Sequence, residues 1–419
     1  MGPEETPGPD SYGADVTLRR YCRWVRILHT SDWHLGRTLE SWSLADHQAA
    51  FLQWLATLCQ EREVEAIVVS GDIYDRAVPS VEAVQLLEQA LASLVRICPI
   101  ILISGNHDSA VRLGFGGTLL ESVNVHFRSS IDDIPRPIEL AGKDGTAVLV
   151  YGIPYLEPQL ARGPLGCEKS HAAVLTAAMN LVRADLAGQQ AKAAFDGSTQ
   201  PRSVVMAHAF ITGGQASDSE RDVSVGGVAD APASVFDGVD YVALGHLHGP
   251  QDIAAPGSTL VRYSGSPLAY SFSEESHCKS VTILDVPASG PIEVEVIPAP
   301  VPRGMRTITG DLDQLLGDPT LAEHEQDWIR AILTDPIRPE RAMDRIRERF
   351  PHAIALQWQP HSEGAPLAAV TRLVDPQQAS PIEVITAFVE HVTSVPASLE
   401  LRAVAEGAVE RVRLAQARA

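Results

Sequence analysis

Positive charge, cysteine and long apolar runs are all scarce in this 419-residue chain, and each shortage narrows what it can be. Thirty-three Lys and Arg stand against 53 Asp and Glu, a formal net charge of −20. Charge alone therefore gives no grip on a polyanion, and bound cations or a basic partner would have to supply it. The five cysteines, Cys22, Cys59, Cys98, Cys167 and Cys278, are odd in number, scattered and never spaced Cys-x-x-Cys. That argues against a disulfide framework or a zinc knuckle and fits a reducing cytoplasm. The longest apolar runs, Ala66–Val69 and Ile97–Ile103, fall far short of the ~20 residues a membrane helix requires. No Gly-x-x-x-x-Gly-Lys-Ser/Thr stretch occurs, so the chain carries no ATP-binding loop of that kind. Met1–Val16 is rich in Gly, Pro and acidic residues without the apolar centre of a secretory signal. Residues 1–24 read as a disordered leader, with the fold beginning near Val25.

What is present is a series of short β-rich runs, each ending at a polar or glycine-bearing turn. They are Val25–His29, Glu65–Ser70, Ile100–Ser104, Val148–Gly152, Ser203–Ala207 and Tyr241–Leu244. Between the early ones lie helical patterns, Leu44–Arg62 and Ser80–Arg96, with Ser80 placed to cap the second. Alternating strand and helix predicts an α/β fold whose strand ends converge on one edge of a sheet. From Tyr263 to Pro300 the period alternates, predicting a second sheet packed on the first and hence a four-layer sandwich flanked by helices. The proline-rich run Pro298–Gly304 reads as a boundary. Beyond it, Trp328–Thr334, Pro339–Phe350 and Ala353–Gln359 predict strand, helix and strand, a small α+β module over residues 301–361. After a connector, helical patterns at Pro381–Val392 and Ala397–Ala417 predict a helical tail over 362–419 with a need for a partner surface.

Five motifs follow those strands in order: Asp32-Trp33-His34, Gly71-Asp72-Ile73-Tyr74-Asp75, Gly105-Asn106-His107-Asp108, Ala207-His208 and Gly245-His246-Leu247-His248. Carboxylates, imidazoles and one amide are the donors that hold two divalent ions side by side for hydrolysis. Asp32 and His34, two apart in extended backbone, would face the same way and grip one ion. Asp72 has two oxygens with which to bridge two ions, and Gly71 allows the tight turn before it. Asn106 can ligate through its carbonyl oxygen, whereas adjacent His107 would face the substrate as a general acid, with Asp108 to orient it. His208, His246 and His248 complete two shells. Taken singly, each motif has a plainer explanation as a strand-end cap or Asx-turn. Five in order after five strands make the binuclear site the better reading. Other histidines, such as His47, His171, His324 and His391, read as solvated surface groups.

These residues resemble the calcineurin-like metallophosphoesterases, and within them the SbcD exonuclease family. The resemblance rests on Ile27-Leu-His-Thr-Ser-Asp-Trp-His-Leu-Gly36, Gly71-Asp-Ile-Tyr-Asp-Arg76, Gly105-Asn-His-Asp108, Ser219-Glu-Arg221, Tyr241-Val-Ala-Leu-Gly-His-Leu-His248 and Tyr263-Ser-Gly-Ser-Pro267. It covers residues 25–300, the nuclease domain. It implies Asp32, His34, Asp72 and His248 on a first metal, and Asp72, Asn106, His208 and His246 on a second. His107 takes the catalytic position. The resemblance further implies a DNA-capping domain at 301–361, a tail that docks a coiled-coil ATPase of the SbcC type, and a homodimer within a heterotetramer, with Ser80–Arg96 and Leu113–Leu120 resembling the dimer-forming region. Asp75 stands where relatives often carry a histidine, which leaves its role open.

The expected activity is manganese-dependent hydrolysis of DNA phosphodiesters in repair, recombination and replication, with Mg2+, Fe2+ or Zn2+ as alternative ions. The expected substrates are double-strand ends, cut 3′ to 5′, together with single strands and hairpins, in the cytoplasm at the nucleoid. An alternative keeps the binuclear centre but turns it on a small phosphodiester, a nucleotide or a phosphoprotein, because fold does not determine substrate. A non-catalytic scaffold is disfavoured by the completeness of the ligand set.

Overall fold

The computed structural model describes residues 24–142, 145–220, 230–360, 380–393 and 397–416. The expected leader therefore lies outside the described residues, as does Arg221. Along the chain the strands are β1 (Trp24–Thr30), β2 (Ala66–Ser70), β3 (Ile100–Ile103), β4 (Val125–Arg128), β5 (Ile138–Ala141), β6 (Ala147–Ile153), β7 (Arg202–His208) and β8 (Tyr241–Gly245). They continue as β9 (Gln251–Ile253), β10 (Leu260–Tyr263), β11 (Ser280–Pro287), β12 (Glu293–Pro298), β13 (Met305–Gly310), β14 (Trp328–Leu333) and β15 (Ala353–Trp358). The longer helices are α1 (Ala45–Glu61), α2 (Val81–Leu94), α3 (His171–Asp196), α4 (Ala342–Arg349), α5 (Pro381–Thr393) and α6 (Leu399–Gln416).

Two six-stranded sheets carry the phosphoesterase portion. The first runs β12-β11-β1-β2-β3-β4, and the second β9-β10-β8-β7-β6-β5. In the first, β1 to β4 are parallel neighbours. In the second, β6, β7, β8 and β10 are parallel, with antiparallel strands at both edges. Parallel strands joined by helices are buried on both faces, which is why Ile100–Ile103 and Ala66–Val69 read as unbroken apolar runs rather than alternating ones.

Successive residues of each strand serve opposite faces. Ile27, Val68, Ile101 and Ile103 meet Val148, Val150, Val204, Met206 and Ala243 between the sheets. Leu28, Ile67, Val69 and Leu102 turn outward under Phe51, Leu55, Leu87 and Leu94 of α1 and α2. On the far side α3 lays Val174, Ala178, Met179 and Val182 against Val205, Val242 and Leu244. The layers run helix, sheet, sheet, helix. Ser80 caps α2 as its sequence predicts, its side chain accepting from the amide of Ala83 at 3.2 Å.

One expectation is corrected. The alternating segments after Tyr263 do not form the second sheet; β11 pairs antiparallel with β1, Ile27 opposite Leu284, and β12 follows it, so both extend the first. Alternation identifies a half-buried strand but carries no information about which neighbour it joins.

The small module is a three-stranded sheet, β13-β14-β15, with α4 after its middle strand. Strand β13, parallel to β14, is an addition to the expected strand-helix-strand pattern. The module packs through Trp328 into a cluster with Leu39, Leu44, Leu268, Tyr270 and Phe272. Arg330 lies over the Phe272 ring, and the Thr307 amide donates to Glu275 at 2.7 Å.

A second compact unit comprises residues 334–338 and, among the described residues, 358–360, 380–393 and 397–416. Within it α5 and α6 pack on each other, leaving Val384, Ile385, Phe388 and Val404 exposed. No helix among the described residues is long and apolar enough to cross a membrane. Cys59, Cys98, Cys167 and Cys278 are free thiols.

Candidate metal centre

The seven residues read as ligands meet at one end of the sandwich, because each follows a strand whose carboxyl end points there. β1, β2 and β3 of the first sheet deliver Asp32, His34, Asp72 and Asn106, while β7 and β8 of the second deliver His208, His246 and His248. Asp32, His34 and His248 form one group of converging donors, and Asp32, Asp72 and His208 another. All six of those with charged or imidazole side chains are buried.

The backbone that presents them is not extended. Asp32, His34, Asp72 and His246 all have positive φ, at 54°, 43°, 50° and 106°. The expectation that Asp32 and His34 share a face through extended geometry is thus corrected; the left-handed turns bring them together. Non-glycine residues reach this region at a cost of about 1–3 kcal/mol each and keep it only where surroundings over-determine it. Here the Asp32 amide donates to the Gly71 carbonyl at 3.0 Å and the His34 amide to the Asp72 carbonyl at 2.9 Å. Gln48 of α1, fully buried, donates to the carbonyls of His34 and Trp33 at 2.7 and 3.2 Å and accepts from the Gly36 amide at 3.1 Å. Gly71 is required by space as well as by its φ of 89°, since a Cβ there would stand 2.4 Å from His208 Nδ1.

Asp72 sits at the middle. Its Oδ2 is 3.5 Å from His34 Nε2 and 3.5 Å from His208 Nε2, the position of a carboxylate shared between two sites. On one side His34 Nε2 and His248 Nε2 are 3.1 Å apart. On the other, Asn106 Oδ1 is 2.9 Å from His208 Nε2 and 3.0 Å from His246 Nδ1. His208 Nδ1 donates to the Ser70 carbonyl at 2.9 Å, which leaves Nε2 for a ligand.

Burial and mutual charge divide the titratable groups. Burial raises Asp32 to about 6, against the pull of His208 and His248. For Asp72 burial acts in the same sense, but His208, His34 and His107 outweigh it and hold the carboxyl well below the usual range. Burial keeps His34 neutral and takes His246 down to about 3. For His208 burial also lowers, yet Asp72 and Asp32 prevail and raise it to about 9. A set of buried carboxylates, an amide oxygen and imidazoles suits divalent cations, which bind imidazole only in its neutral form, so a cation held by His208 would displace the proton that Asp72 and Asp32 favour there.

His107 donates its amide to Asp72 Oδ1 at 2.9 Å, and its Nδ1 donates to the Asp75 carbonyl at 2.8 Å, a bond that does not engage Nε2. It also lies close enough to His34 and Asp72 to complete a donor group with them. Asp108 does not orient it. That carboxylate accepts from the amides of Ile73, Tyr74 and Gly105 at 3.0, 2.9 and 2.9 Å, tying the two motif loops together. Burial and the neighbouring Asp72 raise Asp108 to about 7. The residue that holds the His107 ring is Asp75, through its backbone; its side chain meets Arg37 at 3.3 Å.

A model of the calcineurin-like phosphoesterases matches residues 25–250. The chain belongs to the calcineurin-like phosphoesterase family. It is thus a metal-dependent hydrolase of phosphate esters, and its centre is a candidate dimetal site. A second model, SbcD_C, described as the type 5 capsule protein repressor C-terminal domain, matches residues 301–393. Among solved structures, the phosphoesterase is similar to TT1561 of Thermus thermophilus, at 15% identity and TM-score 0.38 over 65% of this chain and 99% of that one. It is similar to a dimetal phosphatase from Danio rerio at 12% and 0.38, over 66% and 100%. GAP50, the anchor in the inner membrane complex of Plasmodium, is similar at 10% and 0.34, over 66% and 85%.

Several residues around the phosphoesterase centre went unread in the sequence. Tyr270 donates to the Trp33 carbonyl at 2.7 Å and sets its ring edgewise to His34 and His248. Arg37 lies over that ring and donates to the Ser219 carbonyl at 3.0 Å. Glu220 accepts from the His248 amide at 2.8 Å. Glu274 and Lys279 form a fully buried ion pair beside His248, and although burial acts to raise it, the bond from His248 and the charge of Lys279 hold Glu274 well below the usual range. Only the Ser219-Glu220 pair had a motif to mark it. His171, expected at the surface, is buried against the Tyr155 ring because α3 presses its first turn onto the second sheet.

Proposed function

We propose that this phosphoesterase is the nuclease subunit of an SbcCD-type complex, cutting DNA phosphodiesters at double-strand ends, hairpins and single strands with Mn2+. The observation that carries the reading is the pairing, in one chain, of a phosphoesterase match over 25–250 with an SbcD_C match over 301–393. A small-molecule phosphodiesterase has no use for the second. The exposed apolar residues of α5 and α6 favour a docking partner, the coiled-coil ATPase.

Asp32, His34, Asp72 and His248 would hold the first cation, and Asp72, Asn106, His208 and His246 the second. Bound there, two divalent cations supply an activated water and neutralise charge on the phosphodiester. The chain's own part is to fix the donors through left-handed turns and to hold His107, by the Asp75 carbonyl, with Nε2 available to protonate the leaving oxygen. With a net charge of −20, grip on DNA comes from the cations and partners rather than from the chain's own surface.

The test is cleavage of hairpin and blunt duplex DNA by the purified protein with Mn2+, with and without the ATPase subunit, beside His107→Ala. The wild type should cut; the variant should keep both ions by calorimetry yet lose about 10²–10⁴-fold in rate. Intact DNA from a fully loaded enzyme that turns over a small phosphodiester would shift the assignment to the small-molecule class. Loss of an ion in His107→Ala would make that residue a ligand.

A further inference from the structure

Behind His248 the structure builds a continuous line of polar groups. Its Nδ1 is 2.6 Å from Ser219 Oγ and 3.3 Å from Glu274 Oε1, and the Ser219 hydroxyl donates to that same Glu274 oxygen. The other Glu274 oxygen accepts from Lys279 Nζ, which also donates to the His248 carbonyl at 3.0 Å and to Ser266 Oγ at 2.9 Å. Glu274 and Lys279 are 1% and 2% exposed.

A buried ion pair gives little net stability, because desolvating both charges offsets their attraction. What distinguishes this one is where its remaining bonds go: apart from the bond from Lys279 to Ser266, they reach His248, directly or through Ser219. A carboxylate only accepts, so the line from Glu274 through the Ser219 hydroxyl requires a donor at Nδ1, which makes Nε2 the lone-pair nitrogen. His208 achieves the same end with a backbone carbonyl and no dedicated side chain.

We propose that Glu274, acting through Ser219 and locked in place by Lys279, is a positioning residue of the dimetal centre. It holds His248 as the Nδ1–H tautomer and presents Nε2, beside His34 Nε2, to the first cation. The proposal rests on the ligand assignment above and adds to it the group that orders one ligand.

The experiment is Mn2+ binding to the full chain by calorimetry and electron paramagnetic resonance. Removing Glu274 alone would strand the Lys279 charge, so the main variant is Glu274→Gln with Lys279→Met; Ser219→Ala, which leaves the ion pair intact, is the second. The wild type should take up two ions with a coupled-pair spectrum. The double variant should bind one of them about 10–100-fold more weakly and lose the coupled spectrum at limiting Mn2+, with Ser219→Ala showing a smaller loss of the same kind. On a His248→Ala background the same substitutions should add no further loss, since their effect passes through that ring.

Two ions bound as tightly as in the wild type, in a variant with the wild-type circular dichroism, would overturn the proposal. So would equal weakening of both ions, or full additivity with His248→Ala. If the double variant fails to fold, Ser219→Ala decides: unchanged binding there overturns it. A wild type that takes up no Mn2+ would instead remove the ligand assignment itself, and the two failures are told apart by that control.

Discussion

Gly245→Ala puts a single methyl group where the end of β8 in the second sheet meets the end of β2 in the first, and the structure gives its size. A Cβ at Gly245 would stand 1.9 Å from the Ser70 carbonyl oxygen and 3.0 Å from His208 Nδ1. The obstacle is backbone at the end of β2, so no rotamer change relieves it, and the cost belongs at the top of the about 1–3 kcal/mol range for overpacking. Pushing the Ser70 carbonyl aside also breaks its 2.9 Å bond from His208, worth about 1 kcal/mol more. The total of about 4 kcal/mol corresponds to a fall in Tm of roughly 8 °C, at about 2 °C per kcal/mol for a large domain. Because the bond that is lost also fixes His208, Mn2+ affinity should drop about 10-fold or more at the second position. Calorimetric melting in chelator separates the packing cost, and titration with Mn2+ reads the ligand. Gly188→Ala is the matched control: the same methyl, in the middle of α3 with nothing within 4 Å, should stabilise by about 0.5–1 kcal/mol. A Gly245→Ala protein melting within about 1 °C of the wild type and binding two ions would refute the close approach of β2 and β8.

Asp72→Asn removes the carboxylate shared by both positions, so neither ion should bind at micromolar Mn2+ while the fold persists; retention of one tight ion would show that Asp72 is not shared. Chelator should lower Tm and excess Mn2+ raise it, by about 2.7 kcal/mol of stability at about 100 times Kd, measured by calorimetry; no shift would mean no site. Acid stability should depend on His29, whose Nδ1 accepts from the Tyr241 hydroxyl and whose Nε2 donates to the Leu244 carbonyl, each at 3.1 Å. Burial takes His29 down from 6.5 to about 3, so between those values the unfolded chain holds a proton that the fold refuses. Stability should fall as pH drops through that window, by up to about 1.4 kcal/mol per unit from this group. Urea unfolding of His29→Gln should show a shallower acid slope; identical slopes would refute the assignment.

The layers and the meeting of the motifs were legible because both depend on local rules: apolar runs long enough for a buried strand, helical periods between them, and polar motifs at the carboxyl ends. Other features were not. Nothing in Asp32-Trp33-His34 announces left-handed backbone, since that conformation is imposed by bonds from Gly71, Asp72 and Gln48. Alternation at Ser280–Pro287 shows a strand, while its place beside β1 depends on partners far away in sequence. Glu274 and Lys279 look like solvated loop charges until the chain folds over them, because burial of an ion pair belongs to tertiary structure alone. Asp108 read as a companion of its neighbour His107, yet its oxygens serve three amides.

The split of the donor set between two sheets has a consequence for how the molecule is made. The Asp32 carboxylate and the His246 amide that donates to it are 214 residues apart, and β11, which closes the flank of β1, is synthesised later still. During vectorial synthesis the first sheet emerges with one flank open, with one of four donors missing from the first proposed cation position and two of four from the second, a topology of distant pairings that folds slowly. The full donor set of either proposed cation position therefore exists only once both sheets are in place.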